Sequence, residues 1–177
     1  VERTMALNFF ELFGIGAQAN TGTVSYKIRN SLYLNLTQRC TADCVFCTRL
    51  TKPVVQGYNL ALDREPTATE VWESIDDVKK YDEVVFCGFG EPTLRLDVIK
   101  EVAKKVKDNG GRVRLNTNGH GNVINKRNIL PELSGLIDEV SVSLNTDSSE
   151  AYDQICQPLP KFRNGIYEKI KEFIEES

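Results

Sequence analysis

The stretch 39–47, RCTADCVFC, sets three thiols, Cys40, Cys44 and Cys47, at the spacing C-x3-C-x2-C. Two further cysteines, Cys87 and Cys156, lie far off in sequence, and His120 is the only histidine. Clustered thiols are metal ligands before anything else. A structural zinc is closed by four ligands, so three local thiols leave a corner open unless Cys87, Cys156 or His120 fills it. A cubane held by only three thiolates leaves one iron free to take a substrate or cofactor. Phe46, just before the last cysteine, is an aromatic that can lie against a flat ring. The spacing admits a zinc knuckle as well as a catalytic cluster.

A second motif is CGFGEPT at 87–93. Gly88 and Gly90 carry no Cβ and let backbone approach a ligand closely. Strand-end carbonyls and Glu91 can accept hydrogen bonds from an ammonium group, and Pro92 fixes the turn. An ordinary strand-to-helix turn would look much the same. NTNGHGN (116–122) and SLNTDSS (143–149) are two further loops rich in polar side chains. Asn116 and Asn118 share a face by two-residue alternation, as do Ser141, Ser143 and Asn145. His120 reads either as a proton donor or substrate contact, or as a solvated loop residue. Cys87 and Cys156 read as small buried hydrophobes.

These loops need elements to hold them. Residues 24–28 and 32–36 alternate apolar and polar around a turn near Arg29–Asn30 and predict a hairpin. The second strand runs into the cysteine loop. An irregular stretch follows to Pro66. Thr67 and Glu70 then form a capping box, with Val71, Ile75 and Val78 at helical spacing. EVVFCG (83–88), RVRLNTN (112–118) and EVSVSLN (139–145) read as strands. Helices are expected at about 96–107, weakly around Pro131, and at about 148–156 and 164–176. Strands alternating with helices predict a parallel sheet with helices outside. Ligands in such folds gather beyond the carboxyl ends of the strands, where all four loops would meet. With 177 residues, the chain is short of the roughly 200 that a complete eight-fold barrel needs. The fold class expected is α/β: an incomplete (βα) barrel with parallel strands and outer helices, behind an N-terminal helix (1–20) and a hairpin.

The residues of the cysteine loop, the strand after it and GFGEP resemble the radical S-adenosylmethionine (SAM) superfamily, which carries C-x3-C-x-(aromatic)-C and a G-G-E-P-type motif. Phe89 stands where that motif has its first glycine. TNG at 117–119 and SVSLN at 141–145 are similar to the third- and fourth-strand motifs of the family. The fifth-strand motif, which helps hold adenine, is not evident. Taken together, YLNLTQRCTADCVFC, VVFCGFGEPTLRLD, VRLNTNGHGN and VSVSLNTD resemble the radical SAM proteins associated with TatD-type hydrolases. The opening VERTMALNFFELFGI is similar to the end of a TatD hydrolase, so 1–20 is expected to be the tail of a fused hydrolase and 21–177 the radical SAM domain.

That resemblance implies a mechanism. Cys40, Cys44 and Cys47 would hold a [4Fe–4S] cluster whose fourth iron binds SAM, and one electron would release methionine and a 5′-deoxyadenosyl radical. Gly88, Gly90 and Glu91 would receive the SAM ammonium group and Phe46 would lie near adenine. Asn116, Asn118, Ser141, Ser143 and Asn145 are candidates for the ribose and carboxylate. A flavodoxin or ferredoxin would deliver the electron. The substrate stays open between a purine-like molecule and a glycyl-radical or peptide target. The rival function is a non-catalytic zinc or iron–sulfur module that partners a TatD-type hydrolase. An open barrel edge also predicts a partner or a homodimer over it.

Composition bounds the rest. A net charge of −3 excludes a strongly basic nucleic-acid or membrane binder. No apolar run approaches the roughly 20 residues of a membrane span, and no signal peptide is visible at the start. Five cysteines, an odd number, fit metal chemistry in a reducing compartment better than a disulfide scaffold, so the expected location is the cytoplasm.

Overall fold

The structure is a computed structural model and describes residues 22–177. The expected N-terminal helix and its hydrolase-like opening lie outside the described residues.

β1 (Ser25–Ile28) and β2 (Ser31–Leu34) form the expected hairpin. Arg29 makes the turn with φ 53. β2 then pairs in parallel with β5 (Glu83–Phe86), β5 with β6 (Val113–Thr117), and β6 with β7 (Glu139–Val142). The sheet order is β1-β2-β5-β6-β7. Four parallel strands with one antiparallel edge and flanking helices make the incomplete (βα) barrel that the alternation of elements requires.

The two faces of the sheet differ because of side-chain alternation. On β6, Val113, Leu115 and Thr117 are buried while Arg114 and Asn116 are half-buried. Leu32, Leu34, Val84, Phe86, Val113 and Leu115 form one core with Val98, Ile99, Val102, Ala103 and Val106 of α2 (Leu96–Asp108). The opposite face carries Tyr33, Val85, Arg114 and Glu139 in register, then Asn116 beside Ser141. Arg114 forms a two-pronged pair with Glu83, at 2.7 and 2.9 Å, and donates to Asn116 Oδ1 at 2.9 Å. The inner face is thus polar, and alternation alone could not have said which face that was.

Local differences have local causes. The Thr67–Glu70 capping box is present, but α1 (Ala68–Glu73) stops before Ile75. Ile75 and Val78 reach the same core from a turn, where the Asp77 side chain accepts from the Lys79 amide. The stretch expected to be irregular holds a two-residue ribbon of β3 (Val54–Val55) and β4 (Tyr58–Asn59). α3 (Gly121–Asn125) begins inside the expected NTNGHGN loop. α4 (Leu130–Leu133) has Pro131 in its first turn, where no N–H is needed. α5 (Ser149–Ile155), α6 (Pro160–Arg163) and α7 (Ile166–Glu176) complete the chain. Among the described residues no helix is long and apolar enough to cross a membrane.

Candidate active site

The cysteine loop leaves the carboxyl end of β2 and is clamped from two sides. On one side the GFGEP segment docks on its approach. The Cys87 amide donates to Leu34 O (3.0 Å), Gly90 to Thr37 O (3.0 Å) and Glu91 to Arg39 O (2.8 Å). A Cβ on Gly90 would come well within 3.0 Å of the Arg39 and Thr37 carbonyls. A Cβ on Gly88 would strike the side chain of Asn35, which is buried and donates to Thr23 O and Leu60 O. Sequence alone suggested that these glycines admit a ligand; the structure shows that they admit another stretch of the same chain.

On the other side, the segment after α5 lies antiparallel to the loop. Asp43 N donates to Gln157 O (3.1 Å), Val45 N to Ile155 O (2.9 Å) and Leu159 N to Thr41 O (2.9 Å), with Ala42 bridged to Pro158. This register sets Cys44 opposite Cys156. Cys156 is buried with Tyr152, Ile166, Tyr167 and Ile170, and Cys44 packs against that group. Nothing in the sequence pattern pointed to residues 155–159 as a strap on the cysteine loop.

Glu91 is 2% exposed. Its Oε1 accepts from the Thr93 amide (3.1 Å) and from the hydroxyls of Thr93 (2.6 Å) and Thr117 (2.7 Å). Its Oε2 accepts from the Asn118 amide (2.8 Å). Burial pushes its carboxyl up, and these four donors oppose that shift. The carboxylate therefore ties the loop after β5 to the loop after β6.

A hydrogen-bonded chain runs beside the first cysteine. Asn118 Nδ2 donates to Thr41 Oγ1 at 2.9 Å and lies 3.8 Å from Cys40 Sγ. Thr41 Oγ1 is also hydrogen-bonded to His120 Nδ1, at 2.7 Å. The other ring nitrogen of His120, Nε2, is hydrogen-bonded to the Tyr152 hydroxyl at 2.9 Å. His120 is wholly buried, and burial lowers its pKa to about 4. It is neither the solvated histidine nor the substrate contact that a glycine-flanked loop suggests. Thr41 and Tyr152 carried no sequence signal beyond one being next to a cysteine.

All five cysteines are free thiols. Burial raises the Cys40 thiol and pushes Cys44 up to about 12, with Cys156 adding to the latter shift. Phe46 and Val45 stand 56% and 65% exposed in the same loop. Ser141, Ser143 and Asn145 are exposed along β7 and its extension, where Ser143 N donates to Thr117 O at 2.9 Å. Asn145, at φ 66, turns its amide to Cys156 Sγ at 3.9 Å. Three free thiols on one clamped, half-buried loop are the donor set that a three-cysteine cubane takes. Among the described residues no three Cys, His, Asp or Glu side chains converge on a single ion; a cubane spreads its thiolates over separate irons and requires no such convergence.

Comparison with known proteins identifies the family. The Radical SAM superfamily model matches residues 34–177. An uncharacterized protein of Methanocaldococcus jannaschii is 32% identical over 120 residues, which is 67% of this chain and 35% of that protein. The dual-specificity RNA methyltransferase RlmN of Buchnera aphidicola subsp. Schizaphis graminum is 28% identical over 130 residues, 67% of this chain and 32% of that enzyme. The chain thus spans about a third of the length of these curated relatives. The solved structure of TYW1 with a lysine–pyruvate adduct bound superposes with a TM-score of 0.52 at 18% identity, covering 82% of this chain and 50% of that one, and shows a shared fold. A family match over this span, on a parallel sheet whose carboxyl edge carries the three-cysteine loop, shows that the chain belongs to the radical SAM superfamily, whose members use a [4Fe–4S] cluster and S-adenosylmethionine.

Proposed function

We propose that the chain is a radical SAM enzyme whose Cys40, Cys44 and Cys47 bind a [4Fe–4S] cluster and whose inner sheet face receives SAM and a substrate. The observation that carries this reading is the placement of three free thiols at the carboxyl edge of the sheet. Half-buried Asn116 and exposed Ser141 and Ser143 line the adjoining strand ends. A bound, reduced [4Fe–4S] cluster would supply one electron for the reductive cleavage of SAM and so give the site its hydrogen-abstraction chemistry.

The chain's own residues bind and orient. Backbone carbonyls of the Gly88–Gly90 turn accept from the ammonium group of SAM, while Glu91 acts as a positioning residue by fixing the two loops that flank it. Phe46 offers an exposed ring to adenine; stacking an aromatic on a base contributes on the order of 1–3 kcal/mol. Asn116, Asn118, Ser141 and Ser143 supply ribose and carboxylate contacts. The buried chain from Asn118 through Thr41 and His120 to Tyr152 holds the cysteine loop without exchanging a proton near neutral pH. A flavodoxin or ferredoxin donates the electron in the cytoplasm. A TatD-type hydrolase, or a second copy of this chain, covers the open β7 edge.

The test is product formation. The anaerobically purified protein is reconstituted with iron and sulfide, reduced, given SAM and analysed for 5′-deoxyadenosine. Parent protein forms it, and Cys44→Ala loses both the brown chromophore and the product. A fully loaded cluster that yields none rejects the enzyme in favour of a non-catalytic iron–sulfur module, and activity retained by Cys44→Ala rejects the ligand assignment.

A further inference from the structure

Asn118 is anchored at both its main chain and its side chain. Its main-chain N–H donates to Glu91 Oε2 at 2.8 Å. Its Oδ1 accepts from the His120 main-chain N–H at 3.0 Å. A main-chain N–H can only donate, so the atom that meets it is the amide oxygen, and this settles which end of the side chain is which. The NH2 end then faces the cysteine loop. It donates to Thr41 Oγ1 at 2.9 Å and to Cys40 Sγ at 3.8 Å, and an NH2 group carries one hydrogen for each of the two acceptors. The turn that aims it is tied down as well. Gly119 holds φ 81, and its amide donates to Thr117 Oγ1 at 3.1 Å. Burial raises the Cys40 thiol, and the main-chain amides of Ala42 and Thr41 pull the other way.

We propose that the Asn118 side chain donates an N–H···S hydrogen bond to the sulfur of a cluster-bound Cys40 and thereby raises the reduction potential of the cluster. The inference rests on the reading of Cys40 as a cluster ligand. An iron-bound Cys40 is a thiolate, and a hydrogen bond to an ionised acceptor is roughly twice as strong as one between neutral groups. Hydrogen bonds to cluster sulfurs are among the levers that set cluster potentials. A donor stabilises the extra negative charge that arrives on reduction. Asn118 acts on the cluster through Cys40, so it is a positioning residue. An amide oxygen has two lone pairs, so this role is compatible with the SAM contact proposed above. A purely bracing role would be filled by aspartate. Its carboxylate also accepts from the His120 N–H and can accept from the Thr41 hydroxyl, but it offers the sulfur no donor.

The experiment is a redox titration of the reconstituted protein followed by electron paramagnetic resonance, with Asn118→Asp and Asn118→Leu beside the parent. SAM is left out, so that its own contacts do not enter. Iron content and far-ultraviolet circular dichroism report loading and folding. Both variants are expected to show a midpoint more negative than the parent, Asp the more so because it sets a carboxylate against the sulfur. Either variant, once loaded, with a midpoint at or above the parental one overturns the inference and leaves the cluster reading standing. Should neither variant load, the parent decides. It is made with asparagine isotopically labelled at the side-chain nitrogen, and pulsed electron paramagnetic resonance of its reduced cluster is expected to show a coupling to that nitrogen. No such coupling overturns the inference. A parent chain that assembles no cluster overturns both.

Discussion

Gly90→Ala puts a methyl group where the two halves of the site are locked together. Its Cβ would lie within 3.0 Å of the carbonyls of Arg39 and Thr37. Those same carbonyls accept from the Glu91 and Gly90 amides at 2.8 and 3.0 Å. Neither is the flexible end of a side chain, so the backbone of the cysteine-loop approach must move. Overpacking of this kind costs about 1–3 kcal/mol, and weakening two backbone hydrogen bonds adds roughly 1 kcal/mol each. The expected loss is therefore about 3–5 kcal/mol. With a urea dependence of roughly 2 kcal/mol per molar, the midpoint of unfolding falls by about 1.5–2.5 M. Gly135→Ala serves as the comparison, because it has φ 77 and no atom within 4 Å of its added Cβ; its cost is conformational only, about 1–2 kcal/mol. Gly90→Ala should also lower the iron bound per chain, since Arg39 leads directly into Cys40. Parental stability to within about 0.5 kcal/mol, with full iron content, would refute the idea that Gly90 is required for loop-on-loop contact.

Two further perturbations probe the buried polar groups. Glu91→Gln turns an amide group toward donors that now face a carboxylate, and leaving a buried donor unsatisfied costs about 1–3 kcal/mol; lower stability and lower cluster loading, measured by urea unfolding and iron assay, are expected together. His120 makes stability fall in acid with a definite sign. Its folded pKa, about 4, lies below the unfolded value of about 6.5, so the unfolded chain binds the extra proton between these limits. Its contribution is intact above about pH 6.5 and is lost on acidification toward 4, reaching about 2 kcal/mol by pH 5 at 1.36 kcal/mol per unit. Unfolding of parent and His120→Gln at several pH values isolates this from the carboxylates; parallel curves for the two proteins would reject the assignment.

What the sequence by itself determined was local and periodic. The capping box of Thr67 and Glu70, the alternation of Val113, Leu115 and Thr117, and the stripe of α2 each follow from neighbours within a few residues. So does the C-x3-C-x2-C loop and its place at a strand's carboxyl end. The order of strands and helices then required a parallel sheet with one reactive edge. Contacts between distant segments were decided only by the tertiary structure. The strap of 155–159 on the cysteine loop spans over a hundred residues and rests on backbone hydrogen bonds, which carry no residue signature. That Glu91 ties two loops together had no local signal, because it depends on Thr117 and Asn118, at and just past the end of the next strand. His120 read as a loop histidine because burial is a property of the whole packing. Gly88 and Gly90 read as places where backbone approaches a ligand closely, but only folding decides what approaches, since the absence of a Cβ is the same whether the neighbour is a cofactor or the chain itself.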